Sequence, residues 1–250
     1  WTAGHAPGDV LGLAPALAAA GYLVLLPNPR GSSGRGLDYA RAVVGDVGGA
    51  DLDDVLSGVR RLIADGLADP DRTAVLGHSY GGYLAALAAA RTGLFRAAVV
   101  VSAPTDWQSF RDSSNIGGGY DDTYGIAAPP PGVPGPGGLR LRSAVAAHGG
   151  PGTPTLVIHG AEDRVTPVGQ AHQLYRTLRR AGRAPVELYV YPGEGHEFTD
   201  PGRLLDATAR VAAWLDAHLA DPAEPAPDPA AVLPAAPAAP AAPAAEGAFR

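Results

Sequence analysis

The chain has 250 residues, a formal net charge of −6 and no cysteine. This length fits one large α/β domain, and the acidic balance without a basic cluster excludes a nucleic-acid-binding surface. The lack of cysteine excludes disulfides, thiolate metal sites and a cysteine nucleophile. Since no apolar run approaches the roughly 20 residues that span a bilayer, we expect a soluble, cytoplasmic protein without a membrane anchor.

In the first half of the chain, apolar periodicity predicts helices that alternate with short strands. The elements are, in order, an Ala-rich helix ending near residue 20, a buried parallel strand at 22–26, a turn-rich loop at 27–36, a helix at 51–64, a strand at 73–76, a helix at 83–90 and a strand at 97–101. Continuous apolar runs of this length are typical of parallel strands that are covered on both faces.

The second half opens with a mostly irregular segment and then returns to the same alternation. The elements are an irregular stretch at 106–148 that is dense in Pro and Gly at 127–138, a strand at 155–159, a helix at 168–181, a strand at 186–190 and a helix at 204–219. This order predicts an α/β fold with a mostly parallel sheet and helices on both faces. We predict one domain over residues 1–220 and a disordered Pro/Ala-rich tail over 221–250.

Ser79 stands out within the sequence GHSYGG at residues 77–82. A serine between two glycines, directly after a strand and before a helix, is the context of a nucleophile elbow. We expect Gly77 and Gly81 to prevent clashes around this turn and the Tyr80 N–H to point at a developing oxyanion. A bare G-x-S-x-G match also arises by chance in a chain with 34 glycines, so the strand and helix around it carry the argument.

A serine nucleophile needs a base and an acid to activate it. Asp163 follows the strand that ends near His159, and His196 lies in the loop after the last strand. The carboxyl ends of parallel strands meet at one edge of a sheet, so these side chains can converge with Ser79. Glu162 is the alternative acid.

The remaining histidines offer no second base. His78 adjoins Ser79 and is expected to shape the pocket wall, while His159 is expected to make a structural hydrogen bond. No pair of histidines has metal-ligand spacing with an acid. We therefore predict neither a metal nor another cofactor.

Four segments together resemble the prolyl oligopeptidase family of serine peptidases, especially its acylaminoacyl-peptidase and dipeptidyl-peptidase branches. The matching segments are PNPRGSSG at 27–34, GHSYGGY at 77–83, HGAED at 159–163 and YPGEGH at 191–196. The resemblance covers roughly residues 17–219 and implies an α/β-hydrolase fold.

The resemblance also implies roles for single residues. It makes Ser79 the nucleophile, Asp163 the orienting acid and His196 the general base, with the Tyr80 N–H as one oxyanion donor. The aromatic wall of the family's substrate pocket falls on residues 103–110. Trp107 and Phe110 are therefore candidate substrate-binding residues, although both are equally compatible with ordinary loop anchoring.

This resemblance predicts hydrolysis of short peptides through an acyl-enzyme. A carboxylesterase on the same fold and an inactive hydrolase-like module are the alternatives, because one fold and one triad serve several chemistries.

The chain also departs from the family pattern at its start. It contains no Met and begins at Trp1, after the point at which the family has the strand that carries a second oxyanion loop. We expect a hydrolase domain that lacks its first strands, with a gap between the predicted strands at 22–26 and 73–76. We also expect an upstream β-propeller in the full-length protein, and poor activity of these 250 residues alone.

Overall fold

A computed structural model describes residues 12–127, 138–147, 150 and 152–220. Its helices and strands alternate along most of the chain, as the apolar periodicity predicts. The elements are α1 (Leu13–Ala19), α2 (Leu37–Arg41), α3 (Ala50–Ala64), β1 (Ala74–His78), α4 (Tyr80–Arg91), β2 (Ala97–Val101), α5 (Trp107–Ser113), α6 (Gly117–Tyr124), α7 (Leu139–Arg142), a 3₁₀ turn (Ala144–Ala146), β3 (Thr155–Gly160), α8 (Gly169–Ala181), β4 (Val186–Tyr191) and α9 (Pro201–Leu219).

The four strands form one parallel sheet in the order β1-β2-β3-β4. Both inner strands are buried along their whole length, which is why they appear in the sequence as apolar runs rather than as an alternation. The predicted strand at 97–101 is confirmed residue for residue. Because all strands run the same way, their carboxyl ends lie along one edge of the sheet, where the loops after β1, β3 and β4 meet.

Helices cover both faces of the sheet, as predicted. Val100 and Val157 pack into a core cluster with residues of α3, α4 and α8. Val101 and Ile158 belong to a second cluster with residues of α1 and α9. Successive strand residues therefore point to opposite faces of the sheet. The edge that carries the candidate site belongs to a sheet that packs against helices on both faces.

The prediction of a buried strand at 22–26 is wrong. This segment joins no strand, and the side chains of Leu23 and Leu26 are 58% and 44% exposed. A strand needs a hydrogen-bonded neighbour, and among the described residues none lies between this segment and β1. The segment is instead tied to α9, where the Tyr22 hydroxyl donates a 3.0 Å hydrogen bond to Asp216.

The prediction that 106–148 is mostly irregular is also wrong for its described part, which contains α5, α6, α7 and the 3₁₀ turn. Asp106 starts α5, since its carboxylate accepts hydrogen bonds from the backbone N–H groups of Gln108 and Ser109. Aromatic packing then orders the segment, with Trp107 stacked on Tyr120 at 5.8 Å. Such long-range contacts leave no periodic signal in a sequence that is rich in glycine.

Two predictions fall outside the described residues, namely most of the Pro/Gly-dense stretch at 127–138 and the disordered tail at 221–250. Within the described part of the chain, no helix combines the length and the apolar character that crossing a membrane requires.

Candidate active site

Ser79 occupies the sharp turn between β1 and α4. Its backbone angles are φ 56° and ψ −122°, a region that residues with a side chain rarely adopt. The Ser79 N–H donates a 2.9 Å hydrogen bond to the carbonyl of Val101 on the neighbouring strand. The sheet and the helix thus hold the turn from both sides, and the strain is typical of a residue presented for function.

Gly77 and Gly82 are the glycines that this turn requires. A Cβ atom on Gly77 would collide with the backbone of Gly81, and one on Gly82 would lie 2.8 Å from the Ala103 side chain. A Cβ atom on Gly81 would meet nothing within 4 Å. The expectation that Gly77 and Gly81 both relieve clashes is therefore right for Gly77 and wrong for Gly81, because Gly82 is the residue that faces the sheet.

The fold brings together three side chains that are far apart in the sequence. His196 Nε2 lies 2.9 Å from Ser79 Oγ, and His196 Nδ1 lies 2.9 Å from Asp163 Oδ2. Nδ1 of His196, which faces the carboxylate, must carry the ring proton, since an ionised carboxylate only accepts hydrogen bonds. Nε2 is then left with a lone pair that can accept the proton of the Ser79 hydroxyl.

Asp163 is buried and held in one orientation by its own loop. Its Oδ1 accepts 2.8 Å hydrogen bonds from the backbone N–H groups of Val165 and Thr166, and the Thr166 hydroxyl lies 2.7 Å from Oδ2. Burial alone would raise the pKa of Asp163, but hydrogen bonds from His159, His196 and Thr166 outweigh it and hold this pKa well below its usual range. The carboxylate therefore stays ionised beside His196.

Glu162, the alternative acid, is exposed and takes no part in this cluster. Its backbone N–H donates a 2.9 Å hydrogen bond to the carbonyl of Glu194, which joins the Asp163 loop to the His196 loop. Of the two adjacent acids, Asp163 is the one whose carboxylate reaches His196.

Three further residues support this cluster. The sequence does not identify Glu194 or Thr166, and for His159 it predicts only a structural hydrogen bond. The buried Glu194 carboxylate accepts hydrogen bonds from the N–H groups of Thr199 and Asp200 and so braces the loop that carries His196. His159 Nε2 donates a 2.6 Å hydrogen bond to the carbonyl of Thr166. The only sequence signal for Thr166 is its position three residues after Asp163. This spacing is too common in proteins to identify the residue without a structure.

His78 lies against the other side of His196. Its Nε2 donates a 2.9 Å hydrogen bond to the His196 carbonyl, and the two rings are 4.8 Å apart between centroids. Burial lowers the pKa of His78. Together with Glu197, these histidines offer three potential metal-ligand atoms that all lie within 4.8 Å of one another. Sequence spacing alone did not indicate this cluster, because His78 and His196 are 118 positions apart.

A cleft of about 420 Å³ opens beside Ser79 and is lined mainly by apolar and aromatic side chains, as substrate pockets usually are. Its lining residues are Gly31, Ser33, Ala40, Ser79, Tyr80, Pro104, Phe110, Ile116, Tyr120, Tyr124, Val165 and Thr166. Phe110, one of the two predicted substrate-binding residues, is thus part of the wall.

Trp107, the other predicted substrate-binding residue, is 1% exposed and is not among the residues that line the cleft. It packs edge-on against Phe110 at 5.3 Å, so direct substrate contact by Trp107 stays a prediction that its burial does not favour.

Tyr80, the predicted oxyanion donor, is the first residue of α4. Its backbone N–H therefore lies at the positive end of the helix dipole, next to the Ser79 hydroxyl. The Tyr80 ring is buried, and its hydroxyl donates a hydrogen bond to the buried carboxylate of Asp51 on α3. This contact anchors the helix start beside the cleft.

A sequence profile described as "Prolyl oligopeptidase family" matches residues 13–222. The uncharacterized peptidase YuxL of Bacillus subtilis is 35% identical over a 217-residue alignment that covers 81% of this chain and 31% of that protein. The acylamino-acid-releasing enzyme of Arabidopsis thaliana is 29% identical over 81% of this chain and 27% of its own length. The chain thus spans about a third of the length of these relatives.

Solved structures agree with the sequence comparison. An acylaminoacyl peptidase of Pyrococcus horikoshii superimposes with a TM-score of 0.70 and 25% identity over 82% of this chain and 34% of that chain. A puromycin-hydrolyzing peptidase of Mycobacterium tuberculosis gives a TM-score of 0.69 and 26% identity over 77% and 29% of the two chains. The parallel sheet with its elbow is an α/β-hydrolase fold, and the chain belongs to the prolyl oligopeptidase family of serine peptidases.

Proposed function

We propose that the protein hydrolyses short peptides through an acyl-enzyme formed on Ser79. The observation that carries this proposal is the unbroken hydrogen-bond chain from Ser79 Oγ through His196 to the buried Asp163 carboxylate, with two distances of 2.9 Å. A serine in this arrangement gains a base at Nε2 and a fixed negative charge behind that base.

In the first half of the reaction, Ser79 Oγ attacks the carbonyl carbon of the peptide bond while its proton passes to His196 Nε2. The resulting imidazolium is stabilised by Asp163, and the negative charge on the former carbonyl oxygen by the Tyr80 N–H at the start of α4. When the C–N bond breaks, Nε2 returns the proton to the leaving amine. Ser79 is left as an ester of the acyl part.

In the second half, a water molecule gives one proton to His196 Nε2 and attacks the ester carbon. The C–O bond to Ser79 breaks, Oγ takes the proton back, and the carboxylic acid product leaves. The cleft beside Ser79 supports peptides as substrates, because its aromatic and apolar wall can hold an uncharged side chain next to the bond that is cut.

The names of the relatives, which include acylamino-acid-releasing enzymes and dipeptidyl peptidase 8, favour an exopeptidase that acts on short chains. We infer that the described residues belong to a single catalytic domain, for which the sequence predicts the range 1–220. An upstream β-propeller remains a prediction from the family resemblance.

The decisive experiment combines covalent labelling with two matched substrates. A fluorophosphonate should label the protein at Ser79, and Ser79→Ala should abolish labelling and reduce turnover of an aminoacyl p-nitroanilide by about 10⁶-fold. Turnover of p-nitrophenyl esters alone, with none of the anilide, would favour the carboxylesterase. If Ser79→Ala and the unaltered protein behave alike, the proposal fails and the inactive module is favoured.

A further inference from the structure

We propose that His78, His196 and Glu197 form a binding site for a zinc ion, and that zinc bound there switches the active site off. The first part concerns metal binding alone and does not depend on catalysis. The second part rests on the proposed function, since it requires His196 to act as the base.

The three side chains have the donor chemistry that zinc prefers. Two imidazole nitrogens and one carboxylate oxygen are a common protein ligand set for this ion, with water in the fourth position. The three donor atoms all lie within 4.8 Å of one another, and His78 Nε2 is 4.0 Å from Glu197 Oε1. Ligand atoms around a tetrahedral zinc ion are roughly 3.4 Å apart, given metal–ligand distances of about 2.0–2.2 Å.

The Glu197 side chain, the most mobile of the three, can close its own part of the remaining gap, and the rings of His78 and His196 must turn to close the rest. The Glu197 side chain is 77% exposed, so it can swing toward the histidines without leaving a packed position. The side chains of His78 and His196 are 23% and 17% exposed. Both rings are therefore mostly enclosed by their surroundings and still reach solvent, from which a metal ion would enter.

Asp163 supplies the second observation that points to a metal. A histidine that binds zinc nearly always donates its other N–H to a carboxylate or carbonyl, which fixes the tautomer and makes the metal-facing nitrogen more basic. His196 has this arrangement, because its Nδ1–H faces Asp163 Oδ2 at 2.9 Å. The same bond that prepares Nε2 to accept a proton also prepares it to accept a metal ion.

Binding has a defined cost at His78. Its Nε2 carries a proton in this structure, since it donates to the carbonyl oxygen of His196. To ligate through Nε2, the ring must move that proton to Nδ1 and give up the hydrogen bond. No proton needs to be lost at His196, whose Nε2 already carries a lone pair, but this Nε2 must give up the 2.9 Å hydrogen bond with the Ser79 hydroxyl.

The consequence for catalysis follows from that lone pair. A zinc ion on His196 Nε2 occupies the electrons that would otherwise take the Ser79 proton, so the hydroxyl is no longer activated. Inhibition should be reversible, because a chelator removes the ion and leaves every side chain unchanged. Mg²⁺ should not inhibit, since it prefers oxygen ligands.

Calorimetric titration of the Ser79→Ala variant with zinc chloride tests the site without any turnover. We expect one ion per chain, and a dissociation constant that rises about tenfold or more in Ser79→Ala proteins that also carry His78→Gln or Glu197→Gln. His172→Gln, on α8, is the matched control and should leave the affinity unchanged. No zinc binding, or equal affinity with and without His78 and Glu197, would overturn the proposal.

Turnover with Ser79 intact tests the inhibitory effect. Half-inhibition by zinc should fall at or above the dissociation constant of the Ser79→Ala variant, which lacks the hydroxyl that occupies His196 Nε2, and should be relieved by a chelator. Glu197→Gln should keep its basal turnover while the half-inhibiting concentration rises about tenfold or more. Zinc that binds with the expected ligand dependence but leaves turnover unchanged would overturn the inhibitory part alone. A protein with no turnover even before zinc is added would contradict the proposed function, and calorimetry would still decide the metal site.

Discussion

The hydroxyl of Thr166 lies 2.7 Å from Asp163 Oδ2, the same oxygen that holds His196. It also lies 2.8 Å from the carbonyl oxygen of Ser102 at the end of β2. One hydroxyl proton serves two acceptors, so Thr166 ties the acid of the site to the central strand of the sheet as well as to its own loop.

Thr166→Val should therefore reduce kcat by about 10- to 150-fold while the protein stays folded. The variant keeps the shape of the side chain but removes a hydrogen bond to a charged group, which is worth about 1.5–3 kcal/mol, and 1.36 kcal/mol corresponds to a factor of ten in rate. Thr208→Val is the control, because the Thr208 hydroxyl bonds only a backbone carbonyl on α9. Equal kinetics in the two variants would show that Thr166 does not position Asp163.

Asp163→Asn and Glu162→Gln together test which acid orients His196. The asparagine variant should lose about 10⁴-fold in kcat, because an amide can donate to Nδ1 and so favour the wrong tautomer. Glu162→Gln should retain full activity, since that side chain is exposed. A large loss in the glutamine variant would contradict the assignment. Steady-state kinetics of both proteins on one anilide substrate make the comparison.

Gly77→Ala should destabilise the protein, whereas Gly81→Ala should not. A methyl group on Gly77 collides with the backbone of Gly81, and overpacking of this kind costs about 1–3 kcal/mol. At roughly 2–4 °C per kcal/mol for a protein of this size, the largest expected loss of Tm is about 12 °C. Alanine at Gly81 meets open space within α4, where it should stabilise by up to about 1 kcal/mol. Thermal melts that rank the two variants the other way would contradict this account of the elbow.

Conservative substitutions of Phe110 and Trp107 should have different effects on KM and on the free energy of unfolding. Phe110→Leu should raise KM about tenfold for anilides with a large apolar residue before the scissile bond, and should leave KM for a glycine analogue unchanged. Trp107→Phe should leave both KM values unchanged and lower the free energy of unfolding by about 1–3 kcal/mol, because it opens a cavity behind the wall. A selective change of KM in the Trp107 variant would restore its predicted direct contact with substrate.

The ion pair between Arg30 and Asp54 should make stability depend on pH. The guanidinium donates to both carboxylate oxygens at 2.7 and 2.8 Å and lowers the pKa of Asp54. A lowered folded-state pKa stabilises the protein above the unfolded-state pKa, near 3.9, and this stabilisation is lost as the pH falls through the folded-state pKa. Asp54→Asn should therefore lower Tm at pH 7, and the difference should shrink toward pH 3.

The matched control for that pair is Asp65→Asn, which removes an exposed ion pair with Arg61 on α3. Exposed pairs of this kind contribute about 0–1 kcal/mol, so Tm should barely change at any pH. If the two variants show the same pH dependence, Arg30 does not tie its loop to α3 in solution.

Much of this architecture could be predicted from the sequence because the buried parallel strands appear as plain apolar runs. β2 is apolar throughout and β3 contains the apolar run 156–158, since both faces of these strands are covered. Ser79 is flanked by residues whose types suit one kind of turn. The segment at 22–26 is equally apolar but has no hydrogen-bonded neighbour. An apolar sequence by itself does not provide a partner strand. Similarly, α5 and α6 depend on Trp107 stacking against Tyr120, which is a tertiary contact.

The site shows the same division. Asp163 and His196 could be placed at strand ends by their order in the chain. Thr166, Glu194 and His78 act through hydrogen bonds, within their own loop or to another one, that local spacing does not predict. A contact between His78 and the carbonyl of His196, 118 positions away, leaves no trace in local spacing. Supporting residues of this kind become visible only when the fold is known.

Ser79 and His196 are 117 positions apart in the chain. This separation also has a consequence for the chain before it has folded. Under the proposed function, the acid and the base arrive on the loops after β3 and β4, so the serine stays an ordinary hydroxyl until those strands have joined the sheet. A chain emerging from the ribosome, or one that has lost its packing, thus carries no activated nucleophile. Under the same proposal, the architecture confines the reactivity of Ser79 to the folded molecule.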